Sequence, residues 1–228
     1  RPAFTDPEIR RANLAGVILT MTSLGLGDVE QFAWVDAPDH RHVADAYRVL
    51  QTLGALDELN QITPLGRELA RLPLDPRIAR IALAGKGKLA QDAITVLAAA
   101  MSVQDPHEFP ADAQEAARTK QAAWRHPRSD FLTLLKLWQQ WRDWSDKANN
   151  RQLRKICRDN FVSFLRMEEW EAVHKQLVEL LGQDSSPRLR GEWLAKASAA
   201  SGSTSSAKHV RRTDEGQRTN AASAPLTP

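Results

Sequence analysis

Residues 62–81, ITPLGRELARLPLDPRIARI, constrain the fold more than any other stretch, because they hold two helix starts and one helix stop. Thr63 is suited to cap a first helical turn. Pro64 fits the first helical position, where its missing N–H leaves nothing unsatisfied. Leu65, Leu69 and Leu72 follow at helical spacing. Pro73 stops the run, since it pushes Leu72 out of the α region. Asp75-Pro76 repeats the device and opens a second helix through Ile78, Ile81 and Ala82. The stretch predicts a rigid joint between two helical units.

The chain on either side of the joint is helix-rich. Asp6-Pro7 predicts the start of a helix whose apolar face is Leu14, Val17, Ile18, Met21 and Leu24, ended by Gly25 and Gly27. Phe32 to Val35 is a short strand candidate. His42 to Leu53 predicts a helix with Val43, Tyr47, Leu50 and Leu53 inward, and Ala55 to Ile62 a small hairpin turning near Asn60. Helix, helix, hairpin, helix is a winged-helix plan for residues 1–73. Beyond the joint, Leu89 to Val103 predicts a buried helix, Gln104 to Pro110 a loop and Ala113 to Trp124 a polar helix. Pro127 breaks the chain, and Ser129 caps a helix reaching about Asp146. Asn149 to Leu165 and Met167 to Leu181 read as two helices or one bent pair, completing a helical bundle over 74–182. Residues 183–228 hold eight Ser and eight Ala with little periodicity, which predicts a disordered, low-complexity tail. The fold class expected is mainly α.

Charge is unevenly spread. The chain carries a net +3, but residues 118–166 hold twelve basic and four acidic side chains, whereas residues 1–117 hold eleven basic against sixteen acidic. A local basic block is a better guide to partners than the total. One cysteine, Cys157, rules out an internal disulfide and fits a reducing compartment. No apolar run approaches the ~20 residues of a membrane span, and no signal segment opens the chain. Its first residue is Arg rather than Met, so a fragment or processed product is expected.

Several chemistries lack their residues. A phosphate-binding loop needs G-x-x-x-x-G-K-[ST]; Gly85-Lys86-Gly87-Lys88 has no Ser or Thr after it and no strand before it. No D-E-A-H sequence occurs, the nearest text being Asp36-Ala37-Pro38-Asp39-His40. His40 and His42 have no Cys or His cluster beside them to complete a metal site, and Cys157 falls on an apolar face, as a core residue does. No catalytic or metal residue is assigned. Trp138, Trp141 and Trp144 lie three apart on one helix, a spacing shared by core stripes and by platforms for unpaired bases. Trp138 reads as core, and Trp144 as the ring closest to the surface. Arg151, Arg154, Lys155 and Arg158 cluster on one helical face, and Arg166 falls near them if that helix continues. Leu153, Ile156, Cys157, Phe161 and Phe164 cluster opposite. A solvated surface and a phosphate-binding stripe are both compatible with this pattern.

A family resemblance joins these observations. ITPLGRELARLPLDPRIAR resembles the junction between the winged-helix and helicase-associated (ratchet) domains of DEAH-box ATP-dependent RNA helicases. FTDPEIRRANLAGVIL from Phe4, LQTLGALD from Leu50, SVQDP from Ser102, SDFLTLLKLW from Ser129 and CRDNFVSFLRMEEWEAVHKQL from Cys157 agree in family order. The similarity covers roughly residues 1–182 and is most like the long bacterial HrpA type. It implies an accessory region that helps to enclose single-stranded RNA, with nucleic-acid contacts along Arg151, Arg154, Lys155 and Arg158 and an extension to Arg128 and Arg142. It implies that ATP and Mg belong to motor lobes upstream, the partners of this region, that the chain alone binds no cofactor and hydrolyses no ATP, and that the setting is cytoplasmic, with no membrane partner. Bacterial relatives continue into further folded domains after Leu181; the Ser/Ala-rich tail departs from them, as a truncated or frameshifted product would. The rivals are a winged-helix DNA-binding regulator, whose recognition helix should be more basic than one carrying Arg41 and Arg48 among Asp39 and Asp45, and a helical protein-interaction module.

Overall fold

The computed structural model describes residues 14–35, 37–88 and 90–182, which fall within one compact unit. The helix start at Asp6-Pro7 and the tail over 183–228 lie outside the described residues. Among those described the structure is mainly α, with nine helices and no strand longer than an isolated bridge.

Helix α1, Leu14–Leu24, buries Leu14, Ala15, Ile18, Leu19 and Met21. Gly25 ends it with φ of 67°, while Gly25 N–H donates to Thr22 O and Leu26 N–H to Met21 O. That paired closure satisfies two carbonyls of the last turn and needs a left-handed residue, hence glycine. Leu24, expected on the inner face, is 66% exposed, because the closure turns the last residue out. Helix α2, His40–Thr52, is capped by the Asp39 carboxylate and closes in the same way at Gly54. Val43, Ala46 and Leu50 are its buried side chains. Between α1 and α2 the strand expected at Phe32 to Val35 is absent. Trp34 N–H donates back to Phe32 O and its indole N–H to Val29 O, so the segment is folded on itself, and it has no partner strand among the described residues.

The hairpin is reduced to its turn. One bridge joins Leu56 to Ile62, Asn60 takes a φ of 59°, and the Asp57 carboxylate accepts from the N–H groups of Leu59 and Gln61. Thr63 caps α3, Pro64–Ala70, accepting from Gly66 N–H, and its own hydroxyl donates to Gly54 O at 2.6 Å. Helix and turn are so close that a Cβ on Gly66 would overlap the Ala55 carbonyl oxygen. Asp75 caps α4, Pro76–Gly85, at 2.8 Å from Arg77 N–H, as the sequence requires. Helix α1 packs on α2, α3 and α4, and α4 leads into α5, Gln91–Ser102.

Helix α5 is the centre of the second half. Its buried residues are small, Ala93, Ala98, Ala99 and Ala100 with Val96 and Thr95, which lets large neighbours approach. Helix α6 spans Gln114–Gln121, α7 Asp130–Ser145, α8 Asn150–Asp159 and α9 Phe164–Leu180. Both α7 and α9 pack on α5, and α8 packs on both α7 and α9. Trp170 of α9 donates its indole N–H to Val96 O at 3.0 Å, and Trp138 of α7 lies 5.1 Å from Trp170 and 4.8 Å from His174 between ring centroids. Trp138 and Trp141 are buried and Trp144 is half-buried, as their spacing suggested.

Candidate nucleic-acid interface

Helix α8 is set by local chemistry at its start. Asn149 and Gln152 form a reciprocal capping box, the Asn149 side chain accepting from Gln152 N–H and the Gln152 side chain from Asn149 N–H. The helix ends earlier than expected, at Asp159 rather than Leu165. Phe161 takes a φ of 55°, which a continuous right-handed helix cannot contain. Val162 bridges to His107, Ser163 N–H donates to Pro106 O, and Glu108 N–H to Phe161 O. Phe161 and Phe164 therefore do not share the inner face of α8: the first sits in the elbow and the second opens α9. The inner face is Leu153 and Cys157, with Ile156 half-buried. Burial, with Glu108 and Glu168 nearby, pushes the Cys157 thiol up to about 12, so it stays protonated and packs.

Arg151, Arg154, Lys155 and Arg158 are all exposed on the opposite face. No ion pair joins any of the four to a carboxylate among the described residues. Arg154 is partly engaged, its guanidinium carbon 4.9 Å from the centroid of the Phe164 ring. The other cations of the basic block point to different duties. Arg142 donates to Glu171 at 3.1 Å, and the same carboxylate accepts from Trp141 Nε1 at 2.9 Å and pairs with Lys175 at 2.9 Å. Arg142 thus braces α7 to α9. Arg166 donates to Asp105 O at 2.8 Å and ties α9 to the loop before α6. Arg128 precedes α7, at the far end of that helix from the turn into α8, in a hollow shared with Arg125 and His126. The structure brings Arg151, Arg154, Lys155 and Arg158 onto one face of α8, commits Arg142 to Glu171 and sets Arg128 at the opposite end of α7.

A groove missed by sequence reasoning runs between the end of α7 and α8. Trp144, Gln140, Asp143, Lys147, Gln152, Lys155 and Asp159 line it. Lys155 belongs to both the groove and the stripe. The signal was present in Trp144 and the helical spacing, but the pairing of α7 with α8 was not. Elsewhere, His40 lies 3.3 Å from Glu30 and both are exposed; among the described residues no three His, Cys, Asp or Glu side chains are grouped to hold a metal ion. No described helix is long and apolar enough to cross a membrane.

Comparison with known proteins gives the site its context. The family model of the helicase associated domain (HA2), winged-helix, matches residues 46–74, from the second half of α2 through the hairpin turn and α3 to the joint. The ATP-dependent RNA helicase HrpA of Escherichia coli K12 is 42% identical over 187 residues, 79% of this chain. The HrpA homolog of Haemophilus influenzae is 40% identical over 184 residues, 78% of this chain. The chain resembles the helicase-associated region of HrpA-type RNA helicases. It spans 14% of the length of each of these two HrpA relatives.

Proposed function

We propose that this chain is an accessory part of an HrpA-type RNA helicase, with a winged-helix portion over 1–73 and a helical helicase-associated portion over 74–182, and that it holds single-stranded RNA through its backbone along α8. The motor lobes that bind ATP and Mg would be its partners within the parent protein. The observation that supports this reading most is the exposed face of Arg151, Arg154, Lys155 and Arg158, unpaired with any described carboxylate and fixed in place by the buried Leu153 and Cys157. Arginines and lysines in that state displace counterions from a phosphate chain without reading its sequence. The surface of α2 favours this over duplex recognition: Arg48 is paired with Asp45 at 3.1 Å, and Asp39 caps the helix start.

The 228-residue chain should bind a labelled single-stranded RNA weakly, with log affinity falling linearly with log salt concentration in fluorescence anisotropy. Absence of binding at low salt overturns the proposal. No RNA-stimulated phosphate release from ATP is expected, because no phosphate-binding loop is present in the sequence.

A further inference from the structure

We infer that the groove between α7 and α8 receives one unpaired nucleobase of the bound strand, favouring a base with an exocyclic amine. The inference rests on the α8 reading and deepens it. The groove opens beside the stripe and shares Lys155 with it, so a phosphate held by the stripe brings its base to the groove. Trp144 lines the groove and is half-buried, which places an aromatic surface where a flat ring can pack. Its ring is also held by Trp124, which meets it at 86° with ring centroids 5.9 Å apart. The indole N–H groups of Trp34, Trp124, Trp141 and Trp170 donate to protein acceptors, whereas those of the buried Trp138 and the half-buried Trp144 have none among the described residues.

Charge decides which part of a nucleotide enters. Asp143 and Asp159 line the groove together with Lys147 and Lys155, so its lining carries no net charge and attracts phosphate less than the all-cationic stripe does. The carboxylates of Asp143 and Asp159 accept hydrogen bonds, and the exocyclic amine of adenine, cytosine or guanine supplies them, as the O4 of uracil does not. Asp159 is also the last residue of α8, where the negative end of the helix dipole disfavours an acid. Its placement thus weakens the helix, and Asp159→Asn should leave the fold intact.

The test uses the 228-residue chain and single-stranded octamers of A, C or U. The A and C octamers should bind about fivefold or more tighter than U, and Trp144→Ala should weaken them about fivefold or more while the salt slope stays unchanged. Trp144→Phe should restore most of the loss, and Asp159→Asn should bring the three octamers together, so neither result depends on a variant that fails to fold. Salt-dependent binding that is equal for all octamers and indifferent to Trp144→Phe, Trp144→Ala and Asp159→Asn overturns the groove and leaves the α8 proposal standing. If no octamer binds, the α8 proposal falls, and the groove is decided by AMP and CMP against ribose 5-phosphate. A shift of the Trp144 indole resonance with the nucleotides alone supports it, and no shift overturns it.

Discussion

His174 should make the fold acid-sensitive well above the range where carboxylates titrate. Its ring packs against Trp138, and its pKa is lowered from the ordinary 6.5 to about 4. Burial is the main cause, Arg142 and Lys175 add to it, and Glu171 opposes it. The unfolded chain therefore takes up a proton that the folded chain refuses. This contribution is fully present above pH 6.5 and is lost progressively as pH falls toward 4. At pH 5 the loss works out to about 2 kcal/mol relative to pH 8, and below pH 4 it approaches about 3 kcal/mol. Urea unfolding followed at several pH values reads this directly; with an m-value of about 2 kcal/mol/M, the midpoint should drop by about 1 M between pH 8 and pH 5. His174→Phe keeps an aromatic ring against Trp138 and removes the proton site, so its midpoint should stay nearly level over that interval. Glu171 and Asp105 are held below the ordinary carboxylate range and lose their contributions only at lower pH. A His174→Phe protein with the wild-type pH slope would refute the assignment.

Three further outcomes follow from particular contacts. Replacing Arg151 and Arg158 by Gln should flatten the log–log salt slope of RNA binding by about 1.4, at about 0.7 per phosphate contact, with no change in melting temperature; Arg154 is left alone because it rests on Phe164. Gly66→Ala forces a methyl into the Ala55 carbonyl and should cost more than about 2 kcal/mol in chemical unfolding, far beyond the usual helix-propensity gain of that substitution. Asp75→Ala removes the cap at Arg77 N–H and should cost about 1 kcal/mol, with RNA affinity unchanged at a temperature where the fold is intact; a fall in affinity there would give the joint a binding role.

What could be seen in the sequence was local. The caps at Thr63, Asp75 and Ser129 fall where expected because capping is settled within one helical turn. The faces of α2 and α7 followed from periodicity. The four cations of α8 were placed on one face because 100° per residue needs no partner to be known. What escaped was set by distant chain. Arg142 finds its carboxylate 29 residues away and Arg166 its carbonyl 61 residues away, and neither spacing has a helical meaning. Phe161 carries no composition signal for a left-handed turn; the elbow is imposed by the loop it meets. Phe32 to Val35 looked like a strand by residue type, but a strand exists only with a neighbour, and none pairs with it among the described residues.

The elbow between α8 and α9 has a consequence for how the cationic face comes into being. Besides its backbone links to Pro106 and Glu108, the Gln121 side chain donates to both Phe161 O and Glu108 O. Helix α8 is 10 residues long, too short to persist alone in water. Its geometry is therefore borrowed from a clasp closed across more than 50 residues of chain, a non-local contact whose loop-closure cost local helix formation does not carry. A synthetic peptide spanning Asn149 to Asn160 should carry the same charges yet present no ordered stripe. During synthesis, the cationic face of α8 should become ordered only after the elbow has left the ribosome and met the loop before α6.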